Sequence, residues 1–347
     1  MQTDTQVNRA VVIGTSLGGV NALRELLGHL PSDLPAAIFI TMHSGGHPSR
    51  LPSLLAAVTS LPVSFATDEQ QIQQGHVYIA PPDQHLLVGR HTMRLSWGAK
   101  ENHTRPAIDP MFRSAAISFR NLAIGVILTG ELDDGVVGLQ AVKAYGGAAL
   151  VQDPETAESP SMPTHALRHV DVDACLPLPQ LAEALVQCVT QPPKDDPTNV
   201  PRRIEPFATE DELARDLSDG GVPALESIGK AAGISCPECG GGLWDLGGSP
   251  ARFRCHTGHS YTAAALLDAG DGSIEEALWV AIRALHEKQL ILGRLAQSRQ
   301  NAGRSGAVAE YERTSAGLEI HKTALKSLLT SLRSLEAEIA PGGVTGS

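Results

Sequence analysis

The segment V-V-I-G-T-S-L-G-G, residues 11–19, holds a serine in a pattern that could support nucleophilic chemistry. Gly14, Ser16 and Gly18 form G-x-S-x-G, which places a serine on a sharp turn between a strand and a helix. Ser16 could instead be an ordinary helix N-cap. A dinucleotide-binding G-x-G-x-x-G turn is disfavoured, because Ser16 stands at its second glycine, where a side chain would crowd the pyrophosphate.

A serine nucleophile needs a base that takes its proton and a third group that orients the base. His43 ends the apolar segment A-A-I-F-I-T-M-H. Asp134 lies in V-I-L-T-G-E-L-D-D-G, shortly after the apolar part of that segment. Because the carboxyl ends of parallel strands share one sheet edge, Ser16, His43 and Asp134 should meet there. We therefore predict a serine hydrolase with this triad, in which backbone N–H groups around Ser16 and Leu17 stabilise the oxyanion.

A second cluster of reactive side chains lies further along the chain. Cys236 and Cys239 form C-P-E-C, and Cys255 follows with two nearby histidines. Three thiolates and one imidazole complete a tetrahedral zinc site, and we predict His259 rather than His256 as the fourth ligand because its spacing gives more reach. A full ligand set leaves no open position, so this zinc is predicted to be structural, with no cofactor for catalysis. Unligated thiols in a glycine-rich module are the alternative.

The elements that must position the triad are short apolar runs alternating with helical patterns over the first 190 residues. Continuous apolar runs are typical of strands covered on both faces. Alternation of strands and helices predicts an α/β fold, a doubly wound, mainly parallel sheet with helices on both faces. The predicted strands are 10–13, 36–42, 77–80, 123–129 and 148–152, and the clearest helices are 20–30 and 138–145.

The pattern changes beyond this region. We predict a catalytic domain over 1–190, a linker over 191–232, a small zinc-ribbon-like Cys/His module over 233–272 and a C-terminal helical hairpin over 273–340. The hairpin rests on apolar spacings of three and four with a break at about 301–306. Its charged face indicates either a solvated surface over a local core, or a surface for self-association or for docking a signalling partner.

Composition limits the partners. The 347 residues carry a formal net charge of −11 and are 42% hydrophobic. A nucleic-acid partner is therefore not expected, and no apolar run approaches a membrane span, so no membrane insertion is expected. Cys175 and Cys188 are isolated in apolar surroundings, which predicts buried small side chains. A cytoplasmic protein fits these features.

Six motifs in the same order resemble one known family. They are V-I-G-T-S-L-G-G, T-M-H, Y-I-A-P-P-D-Q-H-L, R-P-A-I-D-P-M-F-R-S-A-A, G-V-I-L-T-G-E-L-D-D-G and S-M-P-T-H-A, and they cover about residues 9–188. Together they resemble the catalytic domain of the bacterial chemotaxis protein-glutamate methylesterase family, CheB. The family's serine, histidine and aspartate fall on Ser16, His43 and Asp134, since Asp134 and not Asp133 directly precedes Gly135.

The resemblance implies hydrolysis of methyl-glutamyl esters on methyl-accepting chemoreceptors, with release of methanol, and it also implies deamidation of receptor glutamines. A catalytically weak adaptor in a chemosensory-like pathway is the alternative, and a nucleotide-binding oxidoreductase is a weaker one. Typical members begin with a phosphorylatable receiver domain, whereas here the catalytic motifs start within ten residues. The C-terminal extension resembles the tail of some stand-alone relatives.

Other residues near the motifs are candidates for substrate or oxyanion contacts. Glu131 and Leu132 stand where the family usually has Met and Gly, so a new carboxylate would border the site and could alter activity. Arg105 could engage acidic substrate side chains, or it could pair with Asp109. The full set of such candidates is Thr15, Leu17, Glu131 and Arg105.

Overall fold

The structure is a computed structural model that describes residues 7–43, 49–193, 201, 203–215, 221–301 and 305–339. The chain divides into two compact units, Met1–Leu267 and Asp268–Ser347. The first unit carries all of the predicted reactive groups, and the described residues of the second are helical.

The described residues of the first unit form nine strands before the Cys/His segment: β1 (Ala10–Thr15), β2 (Ala37–Met42), β3 (Val63–Phe65), β4 (Val77–Ile79), β5 (His85–Val88), β6 (Met93–Ser96), β7 (Ala123–Ile127), β8 (Ala148–Gln152) and β9 (Ala174–Leu176). Seven of them form one sheet in the order β3-β4-β2-β1-β7-β8-β9, in which every pair is parallel. Strands β5 and β6 form a separate antiparallel pair.

Six helices cover this sheet: α1 (Gly19–Gly28), α2 (Leu51–Ala56), α3 (Ile108–Phe119), α4 (Val136–Ala144), α5 (Ser161–His169) and α6 (Leu178–Thr190). Alternate residues of β1 enter two different cores. Val12 packs in the core that contains α3, α4 and α5 residues, and Val11 and Ile13 pack in the core that contains α1, α2 and α6 residues. The predicted doubly wound α/β fold is confirmed, and burial on both faces explains the continuous apolar strands.

The order of the strands places the site. The chain moves outward from β1 to β2 and β4, and then returns to the other side of β1 with β7. In an open parallel sheet, the carboxyl ends of the strands at such a reversal border a crevice. The carboxyl ends of β1, β2 and β7 therefore border the same crevice.

Part of the region predicted as a linker is helical. Helices α7 (Phe207–Arg215) and α8 (Gly221–Ile228) fall within 191–232. Three charged or polar residues explain why the sequence pattern missed α7: Thr209, Glu210 and Asp211 are buried, and Glu210 pairs with Arg252 from a distant strand. A buried acidic helix face is not recognisable without its partner.

Four short strands follow and form an antiparallel sheet: β10 (Lys230–Ser235), β11 (Gly242–Gly247), β12 (Arg252–Cys255) and β13 (Ser260–Thr262). Its buried core is small and consists of Cys236, Leu243, Cys255, Tyr261 and Ala265. We call this part the Cys/His sheet. It belongs to the same compact unit as the parallel sheet.

Two long helices complete the chain, α9 (Ala263–Asn301) and α10 (Ser305–Ile339). Helix α9 begins ten residues before the predicted start, and the Thr262 hydroxyl accepts a hydrogen bond from the Ala265 N–H at this end. Residues 302–304 of the predicted break lie outside the described residues. Every described helix is too short or too polar to cross a bilayer.

Within the second unit the two helices contact each other side by side. Gln289 donates a hydrogen bond to the Ser315 carbonyl and accepts one from Lys322. Several apolar side chains of this unit are exposed, Trp279, Val280, Leu290, Ile291 and Leu295 among them. Self-association or docking through these helices stays a prediction.

Candidate active site

Ser16 lies directly after β1, at the turn into α1. Its N–H donates to the Thr129 carbonyl (3.0 Å), so this N–H is not free for an oxyanion as the sequence suggested. The N-cap of α1 is Gly18, with φ of 78° and no side-chain cap, so the interpretation of Ser16 as an N-cap is wrong. Gly14 is needed for close packing, because a Cβ there would lie 2.4 Å from a side-chain carbon of Ile108.

His43 follows β2 and lies between the other two predicted groups. Its Nδ1 is 3.1 Å from Ser16 Oγ, and its Nε2 is 2.7 Å from Asp134 Oδ2. Since the carboxylate can only accept, the proton of the neutral ring belongs on Nε2. The Nδ1 lone pair then faces the serine hydroxyl, as proton transfer from Ser16 requires.

Asp134 is buried, with 2% of its side chain exposed. Its carboxylate accepts hydrogen bonds from the N–H groups of Ile108 (2.7 Å) and Asp109 (3.2 Å), at the start of α3, and from Asn102 Nδ2 (3.1 Å). Burial alone would raise the pKa of Asp134, but these bonds and the bond from His43 outweigh it and lower that pKa. Asp134 is therefore held as a carboxylate facing the imidazole.

Asp109 has the reciprocal arrangement. Its Oδ1 accepts from the N–H groups of Gly135 (3.0 Å) and Gly138 (2.6 Å), so Asp109 binds the start of α4 while Asp134 binds the start of α3. Burial and the nearby charge of Asp134 raise the pKa of Asp109 well above its ordinary value. The repulsion between two neighbouring buried carboxyl groups accounts for part of this shift.

Arg105 does not pair with Asp109, which was one of the two alternatives for it. The Arg105 guanidinium binds Asp83 (2.9 Å between Nη2 and Oδ1) and donates to the carbonyls of Trp97 and Gly98. It also lies over the Trp97 ring. With these contacts Arg105 links the loops that flank β5 and β6. It takes no part in the hydrogen bonds among Ser16, His43 and Asp134.

The other candidates differ in their access to the site. Thr15 is fully buried and its hydroxyl donates to the Thr129 carbonyl (2.8 Å), so its side chain cannot touch a substrate. Leu17 is 54% exposed next to Ser16. Glu131 is exposed, and one of its carboxylate oxygens accepts from the Ser159 hydroxyl (2.6 Å).

The loop that contains Glu131 packs against the serine. A Cβ on Gly130 would lie 2.8 Å from Ser16 Cβ and 2.1 Å from the Met162 sulfur, so only glycine fits there. Leu132 has φ of 58°, the left-handed region that glycine adopts without strain. Leucine therefore occupies a strained position where the family usually has glycine.

A cleft of about 380 Å³ opens over the serine. Its wall is formed by the β1–α1 turn, the end of β2 and one acidic residue, namely Ser16, Leu17, Gly18, Gly19, Val20, Asn21, Met42, His43 and Glu158. The cleft is open, which suits a segment of another protein better than a small enclosed ligand.

Sequence reasoning missed Asn102, and no pattern around E-N-H-T pointed to it. His85 is buried, with Nε2 3.0 Å from the Ala99 carbonyl and Nδ1 accepting from the Ala107 N–H. Burial lowers the pKa of His85, and its contacts hold the segment that leads into α3.

The predicted metal ligands come together in the Cys/His sheet. The ligand atoms of Cys236, Cys239, Cys255 and His259 all lie within 4.8 Å of one another, and His256 is outside this group. Cys239 Sγ is 3.8 Å from Cys255 Sγ, which is 3.5 Å from His259 Nδ1. Tetrahedral zinc with ordinary bond lengths implies separations of about 3.8 Å and about 3.5 Å for these pairs, so the four side chains fit a metal ion.

The protonation of the thiols also fits a metal site. Burial raises the pKa of Cys236 to about 11. Burial would raise the pKa of Cys239 as well, but hydrogen bonds from the Thr257 hydroxyl, the Gly241 N–H and His259 lower it to about 6. Thiolates are the form that binds metal, and a cation would deprotonate the remaining thiols.

Comparisons with known proteins show a family for the first part of the chain. A family model described as CheB methylesterase matches residues 11–185. A protein of Leptospira interrogans, provisionally named a protein-glutamate methylesterase/protein-glutamine glutaminase, is 38% identical over 180 residues, which cover 51% of this chain and 93% of that protein. A protein-glutamate methylesterase/protein-glutamine glutaminase of Methanosarcina mazei is 33% identical over 54% of each chain.

A solved structure shows the same fold. The crystal structure of the Thermotoga maritima CheB methylesterase catalytic domain is 34% identical, with a TM-score of 0.51, and the match covers 52% of this chain and 99% of that one. The family match ends before α7 and the Cys/His sheet. From residue 11 to residue 185, the chain belongs to the CheB methylesterase family.

Proposed function

We propose that this chain is a protein-glutamate methylesterase that hydrolyses methyl-glutamyl esters of chemoreceptors with Ser16, His43 and Asp134 as its triad. The observation that carries the proposal is the continuous pair of hydrogen bonds from Ser16 Oγ through the His43 ring to Asp134 Oδ2, 3.1 Å and 2.7 Å. Names of the relatives support the reaction class. A cytoplasmic site of action would suit the receptors' signalling side.

Ester cleavage begins when the Ser16 hydroxyl attacks the ester carbonyl while its proton moves to His43 Nδ1. Asp134 holds the Nε2–H tautomer and stabilises the imidazolium that forms. When the tetrahedral intermediate collapses, the C–O bond to the methoxy group breaks and His43 returns the proton to it. Methanol leaves, and the glutamyl group remains as an ester of Ser16.

The oxyanion donors that the geometry favours are the N–H groups of Leu17 and Glu131. Among the described residues, neither N–H has a hydrogen-bond partner, whereas the N–H groups of Ser16 and Gly130 are engaged. Both belong to segments that border Ser16. Losing one such donor in other hydrolases costs about 2.7–4 kcal/mol of transition-state stabilisation.

Water then attacks the acyl-enzyme, with His43 as the base, and releases glutamate and free Ser16. Glutamine side chains can follow the same route, because ammonia replaces methanol as the leaving group once His43 protonates it. The glutaminase activity named for the relatives is therefore proposed here as a second reaction of the same site.

We also propose that the Cys/His cluster holds a structural zinc ion. Its four ligands are Cys236, Cys239, Cys255 and His259. Such a complete set leaves no position for water or substrate, and the small core of this sheet gives it little hydrophobic stabilisation of its own. One zinc per chain, measured by elemental analysis of the purified protein, is the expected result; a chain that folds fully without bound metal would overturn this assignment.

The first test of the esterase is methanol release from membranes that carry methylated receptors, with Ser16→Ala and a control serine. Ser53 is exposed on α2, so Ser53→Ala should behave as the natural chain does. Release that disappears only in Ser16→Ala would support the proposal. A folded chain that releases no methanol and fails to label with a fluorophosphonate would instead favour the adaptor.

A further inference from the structure

The turn formed by residues 101–104, which we call the Asn102 turn, joins the triad to the Cys/His sheet. Asn102 Nδ2 donates to Asp134 Oδ1 and to Asp109 Oδ2, both at 3.1 Å. On its other side, Asn102 Oδ1 accepts from the Thr262 N–H (3.0 Å). The backbone N–H of Asn102 also donates to the Ser260 carbonyl (2.7 Å).

These contacts fix the orientation of the Asn102 amide. A flipped amide would place its oxygen against two carboxylates and its NH₂ against the Thr262 N–H, which is electrostatically unfavourable on both sides. The donor that faces Asp134 is therefore held in place by a strand of the other sheet, 160 residues further along the chain.

The backbone of the turn needs the same support. Asn102 and His103 both have positive φ values, 49° and 63°. Asparagine tolerates this conformation, but for histidine it is strained and persists only where the surroundings enforce it. His103 contacts the Cys/His sheet, since its ring lies 4.8 Å from the Tyr261 ring and its Nε2 lies 3.0 Å from the Ala265 carbonyl.

Two further sets of contacts lie next to the Asn102 turn. The Thr262 hydroxyl donates to Asp133 Oδ1 (2.7 Å), next to Asp134 in the chain. Glu101, directly before Asn102, binds Arg113 of α3 (2.9 Å) and Arg254 of β12 (2.5 Å), and all three side chains are buried. The contacts therefore reach both Asp134 and the helix α3 whose N–H groups bind it.

The metal ligands are part of the same hairpin. Cys255 ends β12, and His259 directly precedes β13, which contributes Ser260 and Thr262 to the Asn102 turn. The Cys255 N–H donates to the His259 carbonyl (2.8 Å). Ligands at both ends of this loop would fix the strand that holds Asn102.

We propose that Asn102 is a positioning residue for Asp134, and that the Cys255–His259 hairpin keeps it in place, so that metal loading of the cluster supports the triad. This inference rests on the proposed esterase function. Asn102 touches neither Ser16 nor the cleft wall, so its contribution is to the orientation of Asp134 and not to substrate binding.

The test uses the full-length, metal-loaded chain with Asn102→Ala, Thr262→Val and Thr262→Ser, and Thr190→Val as a matched control on the exposed end of α6. We expect kcat for methanol release to fall about 10- to 100-fold in Asn102→Ala, a size typical for groups that orient another reacting or ligating group. KM should change less than twofold. Thr262→Val removes the hydroxyl that binds Asp133 but keeps the backbone N–H that binds Asn102, so it should lower kcat less than Asn102→Ala does, and Thr262→Ser should restore it.

A second readout does not use the substrate. The rate of fluorophosphonate labelling of Ser16 should fall when a chelator strips metal from the natural chain, and should fall no further in Asn102→Ala, since coupled groups are not additive. Bound metal per chain, measured in every variant, separates a positioning defect from loss of the metal.

The outcomes separate the two proposals. If the natural chain releases no methanol, the esterase proposal fails. If it is active, but folded Asn102→Ala has natural kcat, or the losses from chelation and from Asn102→Ala add independently, then only the positioning role is overturned.

Discussion

The carboxyl edge of the parallel sheet and the Cys/His sheet position their reactive side chains by different means. Ser16, His43 and Asp134 come from three distant segments, and strands buried on both faces carry them to one edge. The four side chains of the Cys/His cluster come from one short segment whose buried core has five residues. Extensive burial positions the first group, whereas ligands and ion pairs must stabilise the second.

The buried ion pairs between these regions show the same difference. Glu101 and Glu210 bind Arg113, Arg252 and Arg254, all of them less than 9% exposed. Burial by itself would raise the pKa of Glu101, but Arg113 and Arg254 outweigh it and lower that pKa to about 2. Removing one partner of such a network leaves a buried charge unpaired, which is costly.

The largest expected effect is at the sheet edge. Asp134→Asn should lower kcat for methanol release about 10⁴-fold, because the amide no longer selects the Nε2–H tautomer of His43. Metal content should remain at the natural value, because none of the four Cys/His side chains contacts Asp134. Kinetics and elemental analysis on the same preparation check both, and a loss below tenfold would contradict the assignment of Asp134.

The next largest effect is expected on stability, at the buried ion pairs that connect α3 to the Cys/His sheet. Glu101→Gln should lower the free energy of unfolding by about 4 kcal/mol, because Arg113 and Arg254 lose their buried carboxylate. Denaturant titration measures this change. Glu238→Gln is the matched control, since Glu238 is partly exposed, forms 3.5 Å pairs with Lys100 and His103, and should change stability by less than about 1 kcal/mol.

The lowered pKa of Glu101 makes stability depend on pH. The pKa of Glu101 is about 2 in the folded chain and 4.5 ordinarily, so its contribution to stability is present above about pH 4.5. That contribution is lost as the pH falls towards 2. The stability difference between the natural chain and Glu101→Gln should therefore shrink over this interval; a constant difference would contradict it.

A smaller effect is expected from the metal. Chelation should lower the unfolding free energy by about 3 kcal/mol when free metal was at about 100 times its dissociation constant. Cys239→Ser should reproduce the loss without chelator. Thermal unfolding with and without added zinc measures both, and a Cys239→Ser chain that still responds fully to zinc would show that the cluster is not the site.

The smallest effect concerns the loop beside Ser16. Leu132→Gly should raise the unfolding free energy by about 1 kcal/mol or less, because glycine relieves the positive φ while losing more chain entropy on folding. Denaturant titration detects a change of this size only with replicate curves. A destabilisation above about 1 kcal/mol would show that the Leu132 side chain contributes packing that outweighs the strain.

Much of this architecture could be predicted from local patterns. Apolar runs predicted the strands that end at Ser16 and His43, since burial on both faces leaves a continuous signature. The spacing of Cys236, Cys239 and Cys255 predicted the metal cluster for a similar reason, because all its ligands are near neighbours in the chain. Helix α7 was missed, because its buried Glu210 looks polar until Arg252 is placed beside it.

The amino-acid sequence by itself determined the fold class, the strands that carry Ser16 and His43, and the clustering of three Cys side chains with His259, because each depends on periodicity or spacing between neighbours. Only the tertiary structure decided that Asp134 binds the start of α3, that Arg105 binds Asp83, and that Asn102 bridges Asp134 and Thr262. Those contacts depend on how distant segments pack, and a single polar residue carries no local pattern that names its partner.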